Sequence, residues 1–240
     1  MKFSALLLDI EGTVTSISFV KDYLFPYAHG AVEDFVRDHI NDASTAGVLE
    51  DIRQASELES KIDLNVRLVR APWMTCIDDV CHNVRHWIDI DKKVTAMKTL
   101  QGLMWKEAYE NGQIKAHVYP EVFKTLQSLT VPIYIYSSGS VLAQKLLFGH
   151  TIDGDMTKLL TGYFDTTVGF KQESESYRKI CNEIDIDPAE VLFLTDVEAE
   201  GRAAREAGLQ VRLVVRDGNA PLSAEAVKEF TVIHSLEEIV

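Results

Sequence analysis

The chain has 240 residues, 46% hydrophobic and 25% charged, which is ordinary for a folded globular protein and excludes the disordered and fibrous classes. Its 24 basic and 37 acidic residues leave a net charge of -13, a field that repels nucleic-acid backbones and anionic membranes, so neither is expected as a partner. At about 150 residues per domain, the length fits roughly one and a half domains: one large domain, or a core that carries an insertion.

The first apolar run, Ala5 to Leu8, ends at Asp9. It is too short for a signal peptide, because Asp9 and Glu11 would fall inside the apolar region. No stretch approaches the roughly 18 apolar residues of a membrane span. Three cysteines, Cys76, Cys81 and Cys181, have no CxxC spacing. They supply no disulfide framework and predict a reducing compartment, the cytoplasm, with a nuclear pool left open.

The next clear strand starts only at Val131, although a βαβ crossover needs about 30 residues. The stretch between is helical. Ile77, Val80, Cys81, Val84, Trp87 and Ile88 make one apolar helix face, and Met97, Leu100, Met104, Trp105 and Ala108 another. Asn41 to Gly47 reads as a loop, and residues 40–73 carry little pattern. From Val131 onward short apolar runs alternate with helices. The runs are Val131–Tyr136, a weaker one over Tyr163–Val168, Val191–Leu194, Val211–Val215 and Thr231–Ile233. Such runs fit buried parallel strands. The fold expected is α/β: a doubly wound, mostly parallel Rossmann-like sheet with an inserted helical cap. Residues 1–17 plus 117–240 form the core domain and residues 18–116 the cap.

In open α/β sheets, ligands bind beyond the carboxyl ends of the strands. Those ends supply Asp9 and Glu11, Ser137 and Ser138, Lys171, and Asp196. Carboxylates suit a hard cation such as Mg²⁺, and one can serve as a covalent nucleophile. Ser137 and the amides of Ser138 and Gly139, where a helix begins, suit a phosphate. Lys171 can neutralise a transferring phosphoryl group. Glu11, two residues after Asp9, can protonate a leaving oxygen and later activate water. Glu200 reads as orienting a neighbouring group or a metal-bound water. Singly, each has a plainer reading as a turn residue, helix cap or surface lysine. His82 and His86 have zinc-like spacing, but without an evident third ligand a packing role is expected.

These residues, in this order, resemble the four motifs of the haloacid dehalogenase superfamily. Longer stretches narrow the likeness to its members that work in methionine salvage: LLDIEGTVTSISFVKDYLFPY (7–27), LQGLMW (100–105), YIYSSGSVLAQKLLFGH (134–150), KQESESYRKI (171–180) and LFLTDV (192–197). The resemblance implies a monomeric, bifunctional enzyme with one Mg²⁺ per chain. It would enolise 2,3-diketo-5-methylthiopentyl-1-phosphate, then remove the phosphate to give the acireductone 1,2-dihydroxy-5-methylthiopent-1-en-3-one. Asp9 would be nucleophile and metal ligand. Glu11 would be the acid and base and offer its backbone carbonyl to the metal. Ser137, Ser138 and Lys171 would hold the phosphate, and Asp196 would complete the metal site. The alternative is a Mg²⁺-dependent phosphatase of the same superfamily acting on another small phosphoester. One departure is visible: the relatives' VVRPGNA reads VVRDGNA here, with Asp217 in place of proline.

Overall fold

A computed structural model describes residues 3–240. In chain order the elements are β1 (Ala5–Leu8), α1 (Phe25–Asp38), α2 (Ala43–Glu59), α3 (Ile77–Asp89), α4 (Thr95–Glu110), α5 (Val122–Ser128), β2 (Ile133–Tyr136), α6 (Val141–Gly149), β3 (Gly162–Phe164), α7 (Ser174–Ile184), β4 (Val191–Thr195), α8 (Glu198–Glu206), β5 (Gln210–Val214), α9 (Ala224–Glu229) and β6 (Thr231–Ile233). The chain divides into two compact units, residues up to Val20 with Lys115–Val240, and Lys21–Ile114. Among the described residues, no helix is long and apolar enough to cross a membrane.

The first unit is a six-stranded sheet in the order β3-β2-β1-β4-β5-β6, with every pairing parallel. All four residues of β1 are buried, because the strand lies in the middle of the sheet with helices on both faces. Connections leave β1 toward β2 on one side, and β4 flanks it on the other. That makes the β1/β4 edge the switch point, where the crevice of a doubly wound sheet opens. On one face Leu7, Tyr136, Tyr177, Ile180, Phe193 and Ala204 pack as a continuous core.

The second unit is α1 to α4. Val32, Leu49, Val84, Trp87, Leu100 and Met104 share its core. The apolar faces read from sequence on α3 and α4 are thus packing faces, including Met97 and Met104. The loop expected at 41–47 is instead mostly helix: α2 begins at Ala43, behind Asp42 in extended backbone. Its inward residues Thr45, Val48, Leu49 and Ile52 recur at helical spacing, and packing outweighs the small polar residues of the first turn. His86 Nε2 lies 2.7 Å from Asp63 Oδ2, and His82 Nε2 3.0 Å from the Asn65 carbonyl. Both histidines therefore pin the 63–65 turn.

Candidate active site

Asp9 leaves β1 with its amide donated to the Leu194 carbonyl at 2.9 Å, which ties it to β4. Its Oδ1 accepts the Ile10 amide at 2.7 Å and pairs with Lys171 Nζ at 2.6 Å. Among the described residues, its Oδ2 accepts only from the Thr195 hydroxyl, at 3.3 Å. That hydroxyl is closer to Glu200 Oε2, at 2.8 Å, and has one proton to give. Oδ2 is therefore the less engaged oxygen of Asp9.

Lys171 Nζ also pairs with Glu200 Oε2 at 2.7 Å. Burial works against its charge, but Asp9 and Glu200 outweigh burial and hold the ammonium above the ordinary lysine range. The turn before it is held firmly. The Tyr136 hydroxyl donates to the Gly169 carbonyl at 2.9 Å, and the Tyr177 hydroxyl to the Lys171 carbonyl at 2.6 Å. Tyr177 is buried and meets Tyr136 and Phe193 edge to face, with ring centroids 5.4 and 5.2 Å apart. Burial raises its phenol pKa, so the hydroxyl stays a donor. Gly169 has φ +147, and a Cβ there would stand 2.1 Å from Ser176 Oγ.

Asp196 follows β4 and lies against Gly12. A Cβ on Gly12 would stand 2.4 Å from Asp196 Oδ2, and its φ is +70. Both facts demand glycine. Gly12→Ala is expected to destabilise the protein by about 1–3 kcal/mol and to displace the Asp196 carboxyl. Chemical denaturation and turnover would check this; unchanged stability and turnover would show that the loop and carboxylate are not in this register.

Ser137 follows β2, and the register Leu8↔Ile135 brings it to the same sheet edge as Asp9. It is buried, and its hydroxyl accepts the Gly139 amide at 3.2 Å. Ser138 is exposed in the same loop. The expected helix start is displaced: α6 begins at Val141, and Ser140 is its cap, accepting the Ala143 amide. The Gly139 amide is occupied by the Ser137 turn, because a serine hydroxyl two residues back competes for it. Glu11 is half-buried in the loop after Asp9.

The electrostatics point to a cation. Asp9, Asp196 and Glu200 are all buried, with Lys171 as the cation paired to two of them. Burial, and then the charge of Asp9, push the Asp196 carboxyl up to about 7. Burial and Asp9 push Glu200 up as well. A buried excess of carboxylate charge fits a hard divalent cation. Among the described residues no group of three or more His, Cys, Asp or Glu side chains forms a ready metal cage. A donor set of two carboxylates, completed by carbonyl, water and phosphate oxygens, suits Mg²⁺. A raised folded-state pKa means that ionised Asp196 opposes folding, a cost absent below about pH 4 and complete above about pH 7. Mg²⁺ should therefore raise the melting temperature more at pH 8 than at pH 6. At one hundred times Kd the gain is about 2.7 kcal/mol, or roughly 5–10 °C. Asp196→Asn should remove most of that gain; an equal gain in the variant would dissociate Asp196 from the cation.

Glu200 was read from sequence as orienting a neighbouring group, and that group is Lys171; the Thr195 hydroxyl between Asp9 and Glu200 was missed. The available signal was Glu200, one helical turn after Asp196.

Comparison with known proteins agrees with this architecture. The profile of the haloacid dehalogenase-like hydrolases matches residues 3–208. The chain is 56% identical over 242 residues to enolase-phosphatase E1 of Caenorhabditis elegans, covering 100% of this chain and 98% of that one. It is 46% identical to enolase-phosphatase E1 of Methylococcus capsulatus over 91% of this chain and 92% of that protein. The crystal structure of the UTR4 protein of Saccharomyces cerevisiae superposes with a TM-score of 0.79 at 34% identity, covering 97% of each chain. With its parallel sheet, its strand-end carboxylates and a family profile over most of its length, the chain belongs to the haloacid dehalogenase-like hydrolases.

Proposed function

We propose that the protein is a bifunctional enolase-phosphatase of methionine salvage. It enolises 2,3-diketo-5-methylthiopentyl-1-phosphate and hydrolyses the enol phosphate to the acireductone and inorganic phosphate. The full-length identity of 56% to an enolase-phosphatase E1 carries the substrate. The buried Asp9–Lys171 pair, with a contact of 2.6 Å, carries the phosphoryl chemistry. Residues 1–17 and 117–240 form the catalytic domain in this reading, and residues 18–116 the inserted helical domain. The enzyme works in the cytoplasm as a monomer.

Asp9 and Asp196, with the Glu11 backbone carbonyl, would hold one Mg²⁺. When bound, the ion neutralises and orients the phosphoryl oxygens. Asp9 attacks phosphorus through its less engaged Oδ2, and the bond to the ester oxygen breaks. Glu11 gives its proton to the leaving oxygen. Lys171 balances the charge that develops on the phosphoryl group, and Ser137 and Ser138 hold its other oxygens. Glu11 then takes a proton from water as that water attacks the aspartyl-phosphate, which restores Asp9 and releases phosphate.

Glutamate reaches one methylene farther than aspartate. The enolase step also moves a proton beside the bound phosphate, so the extra reach serves both half-reactions. Glu11→Asp is expected to slow enolisation about tenfold more than hydrolysis of a preformed enol phosphate. Equal losses would remove Glu11 from the enolase step. A panel of small phosphate monoesters with Mg²⁺ tests the substrate: broad hydrolysis without enolisation would indicate a general phosphatase instead.

A further inference from the structure

The loop that carries Glu11 is braced by the segment after β5. The Gly12 carbonyl accepts from Asn219 Nδ2 at 2.9 Å. The Thr13 carbonyl accepts from Arg216 Nε and Nη2 at 3.3 and 3.2 Å. Both donors belong to the VVRDGNA stretch, and the Asn219 amide closes the turn onto the Arg216 carbonyl at 3.1 Å. Each donor is itself fixed. The Arg216 guanidinium lies 4.1 Å from the Tyr119 ring centroid, donates to the His234 carbonyl at 2.8 Å and pairs with Glu121. Its side chain is 7% exposed. Asn219 Nδ2 also reaches the Val214 carbonyl at 3.3 Å, at the end of β5.

The other end of the Asn219 amide is informative. Among the described residues its buried Oδ1 has no hydrogen-bond partner, and it would stand 3.0 Å from a Cβ on Gly12. A buried acceptor left unmet is unfavourable. The residue is therefore best understood through its donor end, which holds Gly12. Asp196 Oδ2 crowds that same Cβ position, at 2.4 Å, so the amide and the carboxylate both stand beside one bare Cα. Asp217 and Gly218, at the tip of the turn, are exposed, which explains why proline can give way to aspartate there without touching the brace.

We infer that Asn219 and Arg216 are positioning residues: by clamping the Gly12 and Thr13 carbonyls to the sheet edge, they set where the Glu11 carboxyl stands relative to Asp9 and Asp196. This inference rests on the acid and base role proposed above for Glu11. A carboxyl that must meet both a leaving oxygen and an incoming water needs fixed placement, and an error of about 1 Å can cost about 100-fold.

A double-mutant cycle tests it, reading phosphate release from the diketo phosphate with Mg²⁺ for wild type, Asn219→Ala, Glu11→Gln and the double variant. Asn219→Ala is expected to lower kcat about 10- to 100-fold with KM changed less than about threefold. The double variant is expected to be no slower than Glu11→Gln, because Asn219 acts only through that carboxyl. Multiplying losses, or an unchanged kcat in Asn219→Ala, would overturn the inference. No loss in Glu11→Gln would overturn the acid–base reading instead, so the two failures are distinct. Where Asn219→Ala does not fold, Asn219→Leu, which is near in size and has no donor, carries the same cycle. The cycle compares relative rates and runs equally on p-nitrophenyl phosphate if that is the ester the wild type hydrolyses.

Discussion

Asp9→Asn is expected to cut phosphate release by about 10⁴-fold or more while leaving the protein folded. The amide cannot form the aspartyl-phosphate, and no other described carboxylate is both buried and paired to Lys171 from the end of β1. Glu200 is paired to the lysine at 2.7 Å, but from the start of α8. The fold should survive, because Lys171 keeps Glu200 as its partner. Asp196 also loses the neighbouring charge that, after burial, most raises its carboxyl. Stopped turnover with an unchanged circular dichroism spectrum is the expected result. Turnover above about one hundredth of wild type would remove Asp9 as the nucleophile.

Lys171→Met should be damaging in two separable ways. Removing one partner from a buried ion pair costs about 3–5 kcal/mol, because the remaining charge is left without compensation. Here Asp9 and Glu200 are both left so. Loss of the charge proposed to balance the phosphoryl group should lower kcat by about 10²–10³-fold. The two effects differ in pH dependence. Without the lysine, the folded-state pKa of Glu200 rises further, so the variant loses stability as pH rises and recovers part of it as pH falls. Denaturation at pH 6 and pH 8 would show a larger deficit at pH 8. An equal deficit at both would mean that the carboxylates are not the source of the instability.

The sheet was legible in the sequence because its strands are short, apolar and end at polar residues. Ala5–Leu8 agrees residue for residue with β1. Small shifts have local causes. β2 starts at Ile133 rather than Val131 because Pro132 has no amide to give; its carbonyl accepts from Leu6. β3 ends at Phe164 because Asp165 turns the chain, its carboxylate taking the Thr167 and Val141 amides. The first turns of α2 were illegible because Asp42, Ala43, Ser44 and Thr45 favour loops when read locally, whereas Leu49 and Ile52 hold the helix through packing.

At the site, residue types at strand ends were readable and their partnerships were not. Nothing in the spacing says that Lys171 bonds both Asp9 and Glu200, or that Thr195 lies between them. Those contacts depend on β1 and β4 being neighbours, a property of the sheet order. The same holds for Asn219 and Gly12, 207 positions apart. A local departure such as Asp217 was visible, but that it lies exposed at the tip of the turn, clear of the Asn219 and Arg216 contacts, was not.

One Mg²⁺-dependent site is proposed to perform both half-reactions. Ultraviolet absorbance and phosphate release, followed together on 2,3-diketo-5-methylthiopentyl-1-phosphate with and without EDTA, test this. The expected result is enolisation followed by stoichiometric phosphate release, with release lost in EDTA and restored by Mg²⁺. Phosphate release without any enol signal, or release that persists in EDTA, would contradict it.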